Sequence, residues 1–359
     1  MRMVNAPAAV ELGSQNDADA GRKRKKEGAV MKVVFMGTPD FAVPTLDRLC
    51  QSSHQIVCVV TQPDRPAGRG QQVRPSPVKE LAQSKRLPVL QPEKIRGTDF
   101  PAALAAYSPD VIVVVAYGKI LPPEVLRVPR LGCLNVHASL LPKYRGAAPI
   151  AWATINGERR TGVTIMHMDE GLDTGGIVAQ SEVEILDDDD MLSLTNMLSM
   201  MGADLLLAVL DQVEKEQKIV SQPQDNSQAS SAPMLKKSDG DLDWTMTSEQ
   251  IICRMHGLNP WPGCCSDMKG KTIRLIDADK LIERESADFA DAKYKPGEVA
   301  CQWPGRGPVI RTGDGYIVLT RAQPAGGKPL SGNDLLNGGH IRPTMRFERV
   351  GQKEDGSRQ

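Results

Sequence analysis

Leu134-Asn135-Val136-His137 closes an apolar run that has the character of a β-strand. Side chains two residues apart lie on the same face of a strand, so we expect Asn135 and His137 to project into one space. Residues 162 to 168 alternate like a further strand, which leads to Asp173. We therefore expect an amide, an imidazole and a carboxylate at neighbouring strand ends. In an open parallel sheet, that edge is where ligands bind.

Other apolar runs indicate the sheet to which these strands belong. Val111-Ile112-Val113-Val114-Val115 has no polar alternation, as expected of a central parallel strand that is buried on both faces. Lys32 to Met36 has strand character and Phe41 to Leu49 has helical spacing. The turn between them, Gly37-Thr38-Pro39-Asp40, is not a glycine-rich dinucleotide fingerprint, which argues against a nicotinamide oxidoreductase. The predicted fold class is α/β, with a Rossmann-like, open and mostly parallel sheet in the amino-terminal domain.

Three segments resemble the active-site pattern of folate-dependent formyltransferases, namely Asn135-Val136-His137, Ser139-Leu140-Leu141-Pro142 and Asp173-Thr174-Gly175. These enzymes transfer a formyl group from 10-formyltetrahydrofolate to an amine. Three further segments are similar to the tRNA-acting branch of that family, the methionyl-tRNA formyltransferases: Gly37 to Phe41, Thr61 to Gly70 and Asn259 to Pro262. The resemblance extends from about Met31 to about Gly338. It implies that a small OB-fold-like β-barrel domain follows the formyltransferase domain.

The chemistry of formyl transfer gives each of the three polar residues a role. The reaction passes through a tetrahedral intermediate with a negative oxygen, so the site needs hydrogen-bond donors and a path for a proton. Asn135 can donate through its amide, and His137 can donate when protonated and then carry a proton. Asp173 can favour the charged form of His137 or position a water molecule that relays the proton. We assign catalysis to these three residues, with no covalent intermediate and no metal ion.

Each of these residues also has a structural interpretation. A lone histidine at a strand end, an asparagine near a turn and an aspartate before a Thr-Gly-Gly sequence are common without any catalytic role. Their combination favours the active-site interpretation, because coincidence rarely supplies all three. Asp169 is the alternative carboxylate, and His167 on the preceding strand is predicted to be structural.

The resemblance also implies where the folate binds. The loop Ser139-Leu140-Leu141-Pro142 is predicted to face the folate and to offer backbone groups and apolar contact to its flat ring. The family places the pterin ring near a segment like Ile120 and Leu121, although a plain core position is equally open for these two residues. The bound folate is expected to be the formyl donor, 10-formyltetrahydrofolate.

A long insertion follows the second strand. Residues 62 to 77 are rich in Pro and Gly and carry Arg65, Arg69 and Arg74. A loop of this length is uncommon in a compact α/β unit unless it has a function, although an ordinary surface loop is the simpler alternative. The resemblance implies that the insertion engages the acceptor end of initiator tRNA, with Arg69 as the tRNA-binding residue.

The second half of the chain has a different pattern. Short alternating segments punctuated by Gly and Pro indicate a small antiparallel barrel. Positive residues outnumber negative ones after Lys293, so we expect contact with the tRNA phosphates. We predict a disordered extension at residues 1–30 and a formyltransferase catalytic domain at residues 31–218. A polar linker at residues 219–237 then leads to an OB-like tRNA-binding domain at residues 238–345 and a tail at residues 346–359.

The composition limits the class of protein. Lys plus Arg and Asp plus Glu number 44 each, and this balance argues against a protein that coats nucleic acid. The 7 cysteines form no regular framework, which suits a reducing cytoplasm. No apolar run approaches the roughly 20 residues that a membrane-spanning helix needs. We therefore expect a cytoplasmic monomer without membrane association, whose partners are initiator methionyl-tRNA and the folate co-substrate.

The function expected from these observations is formylation of the methionine carried by initiator tRNA, for translation initiation. The alternatives are a formyltransferase acting on a small-molecule amine, a formyltetrahydrofolate hydrolase, and a nucleic-acid-binding module on an inactive scaffold. A small acceptor would need neither the insertion at residues 62 to 77 nor a second domain. The presence of Asn135, His137 and Asp173 argues against an inactive scaffold.

Overall fold

The computed structural model describes residues 30–67, 72–281 and 294–351. The chain divides into two compact units. The described parts of Met1–Pro149, Arg160–Glu184 and Thr195–Pro233 make up the first unit, and those of Ile150–Arg159, Ile185–Leu194 and Met234–Gln359 make up the second.

The first half of the chain alternates strands and helices. In chain order its strands are β1 Lys32–Gly37, β2 Gln55–Val60, β3 Arg65–Ala67, β4 Gln72–Arg74, β5 Val89–Leu90, β6 Val111–Val115, β7 Cys133–His137, β8 Arg160–His167 and β9 Gly176–Glu184. Its helices are α1 Val43–Gln51, α2 Pro77–Ser84, α3 Phe100–Ala105, α4 Pro123–Leu126, α5 Pro149–Ile155 and α6 Met191–Glu216.

Seven of these strands form one sheet in the order β5-β2-β1-β6-β7-β8-β9. The pairs from β5 to β7 are parallel, and β8 and β9 add an antiparallel edge. Every residue of Val111–Val115 in β6 is buried, as expected of a central strand covered on both faces. The predicted α/β class with a mostly parallel sheet is therefore confirmed.

The direction of β8 differs from the sequence expectation. Leu134 pairs with His167, and His137 pairs with Thr164, so β8 runs antiparallel to β7. The carboxyl end of β8 thus lies at the opposite edge of the sheet from the carboxyl end of β7. The expectation that these two strand ends share an edge was wrong, because an alternating pattern indicates a strand but not its direction.

The second half of the chain is mostly antiparallel. It contains the helices α7 Ser248–Leu258 and α8 Gly332–Asn337, and the strands β10 Cys264–Met268, β11 Lys271–Lys280, β12 Val299–Trp303, β13 Gly307–Arg311, β14 Tyr316–Pro324 and β15 Leu330–Ser331. These strands form a six-stranded sheet in the order β10-β11-β14-β13-β12, with β15 paired to β14.

A late segment of the chain joins the two ends of this sheet. Glu348 bridges Asp267 in β10, and Arg346 bridges Glu298, directly before β12. Between them, the buried ring of Phe347 packs on Trp244, with 5.2 Å between the ring centroids. The sheet thereby closes on itself as a small barrel does, in agreement with the predicted antiparallel barrel.

Among the described residues, one helix, α6, is long and apolar enough to cross a membrane. The expectation that no apolar run approaches that length missed this helix. Its interior positions instead face protein: a Cβ atom on Gly202 would lie 2.7 Å from Val136 Cγ1 and 3.2 Å from Val163 Cγ1. The helix therefore packs directly on β7 and β8, as a core helix does.

This close approach makes Gly202 intolerant of larger side chains. Replacing it with valine forces methyl groups into the Val136 and Val163 contacts, and overpacking of a buried site costs about 1–3 kcal/mol. We expect Gly202→Val to lower the free energy of unfolding by that amount in urea titrations. Met200→Val, at an exposed position of the same helix, is the matched control and should lose well under about 1 kcal/mol. Equal losses of unfolding free energy in the two variants would contradict the close packing of Gly202 on Val136 and Val163.

Candidate active site

Asn135, His137 and Asp173 lie together in the first unit. Asn135 and His137 share one face of β7, where Asn135 is half-buried and His137 is 6% exposed. Asp173 lies in the loop between β8 and β9. Its Oδ2 is 3.7 Å from His137 Nδ1, and its Oδ1 is 3.5 Å from Asn135 Nδ2. The loop, and not a strand end, carries the carboxylate across the sheet to the other two residues.

The two nitrogens of His137 have different surroundings. Nε2 lies 2.9 Å from the carbonyl oxygen of Tyr144. A carbonyl can only accept, so Nε2 carries the hydrogen of this bond. Nδ1 then faces the Asp173 carboxylate. The arrangement places an imidazole and a carboxylate beside an amide donor.

A backbone N–H fixes the carboxylate of Asp173. The amide nitrogen of Gly146 donates to Asp173 Oδ2 at 2.9 Å. Gly146 has a φ of 130°, and a Cβ atom there would lie 2.5 Å from the carbonyl oxygen of Ala232. Only glycine permits this backbone conformation and this approach without displacement. The glycine after Arg145 is therefore needed to aim the carboxylate.

The segment 222–232, which we name the strap, holds the same loop from the other side. Gln224 Nε2 donates to the carbonyl oxygens of Asp173 and Gly175 at 2.9 and 2.7 Å. Its Oε1 accepts from Arg145 Nε and Nη2 at 3.1 and 2.7 Å. Gln224 is only 9% exposed, and its buried polar atoms are hydrogen-bonded. One side chain thus ties the Asp173 loop to the Arg145 segment.

The strap also bonds to the Arg145 segment through its backbone. Arg145 N–H donates to the Ser230 carbonyl at 2.8 Å, and Ala232 N–H donates to the Arg145 carbonyl at 2.7 Å. The hydroxyl of Ser230 accepts from the Tyr144 N–H at 2.9 Å. Sequence reasoning missed the contribution of this segment, because its Ser, Gln and Asn content is also typical of a linker.

The predicted folate loop, Ser139–Pro142, is bonded tightly to the sheet. Thr164 Oγ1 donates to the Ser139 carbonyl at 2.7 Å and accepts from the Leu141 N–H at 3.1 Å. Gln180 Nε2 donates to the Leu141 carbonyl at 2.9 Å. These three backbone groups already have partners within the chain. A ligand beside this loop would meet side chains and the remaining backbone groups.

Ile120 and Leu121 have unlike positions. Leu121 is buried in the core around β6, whereas Ile120 is 62% exposed. Both residues line a cavity of about 390 Å³. The other residues around this cavity are Arg96, Pro123, Glu124 and Glu170. The exposed apolar side chain of Ile120 is thus available to a ligand in that cavity.

The neighbouring groups have structural roles. Asp169 Oδ1 accepts from the Gly171 N–H at 3.0 Å and from Thr174 Oγ1 at 2.7 Å, so this carboxylate stabilises a turn. Burial lowers the pKa of His167, and the nearby Asp169 only partly offsets this effect. Burial also raises the pKa of the Cys133 thiol to about 12, which makes it a poor nucleophile near neutral pH.

The insertion at residues 62 to 77 contains a small hairpin. Strands β3 and β4 pair antiparallel, with Arg65 opposite Arg74. Val73 is 64% exposed, so an apolar side chain points to solvent beside the two arginines. Arg69, the residue predicted to bind tRNA, lies outside the described residues, and its role stays a prediction.

Comparison with known proteins decides the family. The family described as Formyl transferase matches residues 31–210, and the one described as Formyl transferase, C-terminal domain, matches residues 234–340. Methionyl-tRNA formyltransferase of Pelotomaculum thermopropionicum is 47% identical over 309 residues, which are 86% of this chain and 96% of that protein. The chain belongs to the methionyl-tRNA formyltransferase family. The corresponding protein of Geobacter metallireducens is 43% identical over 319 residues, which are 89% of this chain and 99% of that protein.

Solved structures share the fold of this methionyl-tRNA formyltransferase family member. An N-formyltransferase from Helicobacter canadensis, in complex with folinic acid and dTDP-3-aminofucose, has a TM-score of 0.58 at 17% identity and covers 81% of this chain and 99% of that chain. HypX from Aquifex aeolicus, in complex with tetrahydrofolic acid, has a TM-score of 0.54 at 18% identity and covers 86% of this chain and 47% of that chain. At these identities the likeness concerns the fold alone.

The strap generates a test of how the carboxylate is positioned. Gln224→Ala removes the bonds to Asp173, Gly175 and Arg145. Since a displacement of about 1 Å can cost roughly 10²-fold in rate, we expect kcat for formyl transfer to fall about 10- to 100-fold, with a smaller change in KM for the folate. Steady-state kinetics of the purified variant measures both.

Gln228→Ala is the matched control, because Gln228 lies in the same strap but is exposed and bonds to Asp225. Its kcat should stay within about twofold of the kcat of the parent protein. This change is much smaller than the one expected from the loss of an orienting contact. Equal kcat values for the Gln224 and Gln228 variants would show that the strap does not position Asp173.

Proposed function

We propose that this formyltransferase transfers the formyl group of 10-formyltetrahydrofolate to the α-amino group of methionine on initiator methionyl-tRNA. The product is N-formylmethionyl-tRNA, which serves translation initiation. The observation that carries the proposal is the convergence of Asn135, His137 and Asp173, with contacts of 3.5 and 3.7 Å to the carboxylate. Relatives named methionyl-tRNA formyltransferase, at 42–47% identity over most of the chain, support the choice of acceptor.

The proposed reaction begins when the amine nitrogen attacks the formyl carbon. A carbon–nitrogen bond forms, and the carbonyl electrons move to the formyl oxygen. Asn135 Nδ2 is only loosely held by its 3.5 Å contact with Asp173, so it can turn its N–H toward that oxygen. The doubly protonated form of His137 offers Nδ1–H to the same oxyanion. Both donors stabilise charge that exists only in the intermediate.

Proton transfer completes the reaction. Asp173 accepts the proton that the attacking amine loses, directly or through a water molecule, while His137 stays beside it. The intermediate then collapses. The electrons on the oxygen re-form the carbonyl, the bond between the formyl carbon and N10 of the folate breaks, and N10 takes up the proton that Asp173 received, which gives tetrahydrofolate. No bond to the protein forms at any step.

The folate is proposed to bind beside β7. The side chains of the loop Ser139–Pro142 and the exposed Ile120 would offer apolar contact to its rings. The cavity lined by Ile120 also contains Arg96, whose guanidinium suits a carboxylate of the folate. The donor is 10-formyltetrahydrofolate, and the proposed steps use no metal ion.

The tRNA is proposed to contact two regions. The hairpin of β3 and β4, together with Arg69, which lies between the two strands in the sequence, would meet the acceptor end. The barrel at residues 238–345 would bind tRNA phosphates through its positive residues. Some of those residues are engaged already: Arg306 pairs with Asp279 at 2.7 Å and stacks on Trp303. We retain residues 31–218 as the proposed catalytic domain, and we propose a monomer in the cytoplasm.

A side-by-side transfer assay tests the choice of acceptor. Labelled 10-formyltetrahydrofolate is offered with charged initiator tRNA, charged elongator methionine tRNA or glycinamide ribonucleotide. We expect label on the initiator methionyl-tRNA and at least about tenfold less label on the elongator. A free-energy difference of about 1.4 kcal/mol between the two acceptors is enough to give a factor of ten. Label on glycinamide ribonucleotide alone would show that the formyl acceptor is a small molecule and not a tRNA. Release of labelled formate without any acceptor would indicate a hydrolase.

A single isosteric substitution tests the proton acceptor. Asp173→Asn keeps an oxygen for the Gly146 N–H but removes the charge that takes the proton. We expect kcat to fall about 10²- to 10⁴-fold, the usual contribution of a general base, with unchanged folding by circular dichroism. Asp169→Asn is the matched control and should keep most of its turnover, because Asp169 stabilises a turn. A near-normal kcat for Asp173→Asn would refute its assigned role.

A further inference from the structure

A cluster of side chains that can bind a metal ion lies on α6 and on the turn before β2, and the proposed reaction uses none of them. It consists of His54, which precedes β2, and of Asp211 and Glu214 near the carboxyl end of α6. One nitrogen of His54 and one carboxylate oxygen from each acid lie within 4.8 Å of one another. Imidazole nitrogen and carboxylate oxygen are both common ligands of zinc.

His54 has an unusual environment for a histidine. Its side chain is fully buried, yet neither ring nitrogen has a hydrogen-bond partner among the residues that the structure describes. Its Nε2 points at Asp211 Oδ1 over 3.6 Å, which is too long for a hydrogen bond. Buried polar groups normally have partners, and leaving one unpaired is costly. Nε2 makes no hydrogen bond within the described part of the chain and faces Asp211, which makes it available as a ligand atom.

The two acids add negative charge at the same place. Residues three apart on a helix are neighbours on its surface, so Asp211 and Glu214 present their carboxylates side by side. Like charges at this spacing repel each other, and a cation between them would remove that repulsion. The Asp211 side chain is 59% exposed, so water can reach the cluster and complete a coordination shell.

We propose that His54, Asp211 and Glu214 bind one divalent transition-metal ion of the zinc type, with water as a fourth ligand. Imidazole favours zinc, copper and nickel, whereas magnesium and calcium prefer all-oxygen sites. Bonds of about 2.0–2.2 Å in a tetrahedron place ligand atoms roughly 3.3–3.6 Å apart. The His54–Asp211 distance of 3.6 Å is already close to that value, and rotation of the Glu214 side chain brings in the third ligand.

The consequence of binding is structural. The ion would join the end of α6 to the turn that enters β2, two segments far apart in sequence. Because the three ligands are brought together only in the folded chain, binding favours the folded state. The site would therefore stabilise the first unit without taking part in formyl transfer.

Zinc titration of the chelator-treated full-length protein tests the proposal. Isothermal titration calorimetry should show one ion per chain with a dissociation constant on the order of micromolar. The thermal midpoint should rise by several degrees with excess zinc, and magnesium should cause no such rise. Asp211→Asn and Glu214→Gln should each weaken zinc binding at least about tenfold. Glu216→Gln, an exposed acid of the same helix that bonds to Gln212, is the matched control and should bind like the parent.

Cobalt substitution separates this site from the cysteines. Co²⁺ held in a tetrahedron by one imidazole, two carboxylates and water gives visible d–d absorption but lacks the strong near-ultraviolet bands of cobalt–thiolate bonds. Thiolate bands would assign the metal to cysteine and overturn the proposal. It is also overturned if no stoichiometric binding occurs, or if the Asp211 and Glu214 variants bind like the parent. In that case His54 and Asp211 form an ion pair only.

Discussion

The position of one carboxylate depends on three segments that are distant in sequence. Strand β8 runs antiparallel to β7, so its end cannot deliver Asp173 to the edge where His137 lies. A loop carries the residue back across the sheet. The Gly146 N–H then fixes its carboxylate at 2.9 Å, and Gln224 holds its carbonyl at 2.9 Å. The proposed chemistry depends on this placement.

The bonds around Asp173 are made mostly by neutral groups. The backbone N–H of Gly146 bonds to the carboxylate and the side chain of Gln224 bonds to the Asp173 carbonyl, and neither donor changes its own charge when the site gains or loses a proton. Preorganised dipoles of this kind need no rearrangement as charge develops, which is the main source of electrostatic catalysis. The carbonyl of Tyr144 acts similarly on His137, because it fixes which ring nitrogen faces the carboxylate.

Much of the sheet could be predicted from the sequence. The strand Val111–Val115 has the predicted bounds, because a continuous apolar run leaves little choice of structure. The direction of β8 and the packing of the strap could not be predicted, since both depend on contacts between distant segments. Nothing in the local composition distinguishes a strap that packs through Gln224 from a flexible linker.

Only part of the active site could be predicted from the sequence. Alternation placed Asn135 and His137 on one face, which the structure confirms. The choice between Asp169 and Asp173 depended on family resemblance, because both carboxylates follow β8. The structure distinguishes them through their partners, since Asp169 bonds within its own turn while Asp173 lies 3.7 Å from His137. The two proposed metal ligands on α6, Asp211 and Glu214, have helical spacing, but the third, His54, is a tertiary neighbour that this spacing does not reveal.

A double-mutant cycle on kcat tests the central claim that Gln224 acts through Asp173. Turnover of Gln224→Ala, Asp173→Asn and the double variant is measured under the same conditions. If the glutamine serves only to place the carboxylate, its loss has no further effect once the carboxylate is gone, and the double variant is as slow as Asp173→Asn alone. A double variant slowed by the product of the two single losses would contradict the claim.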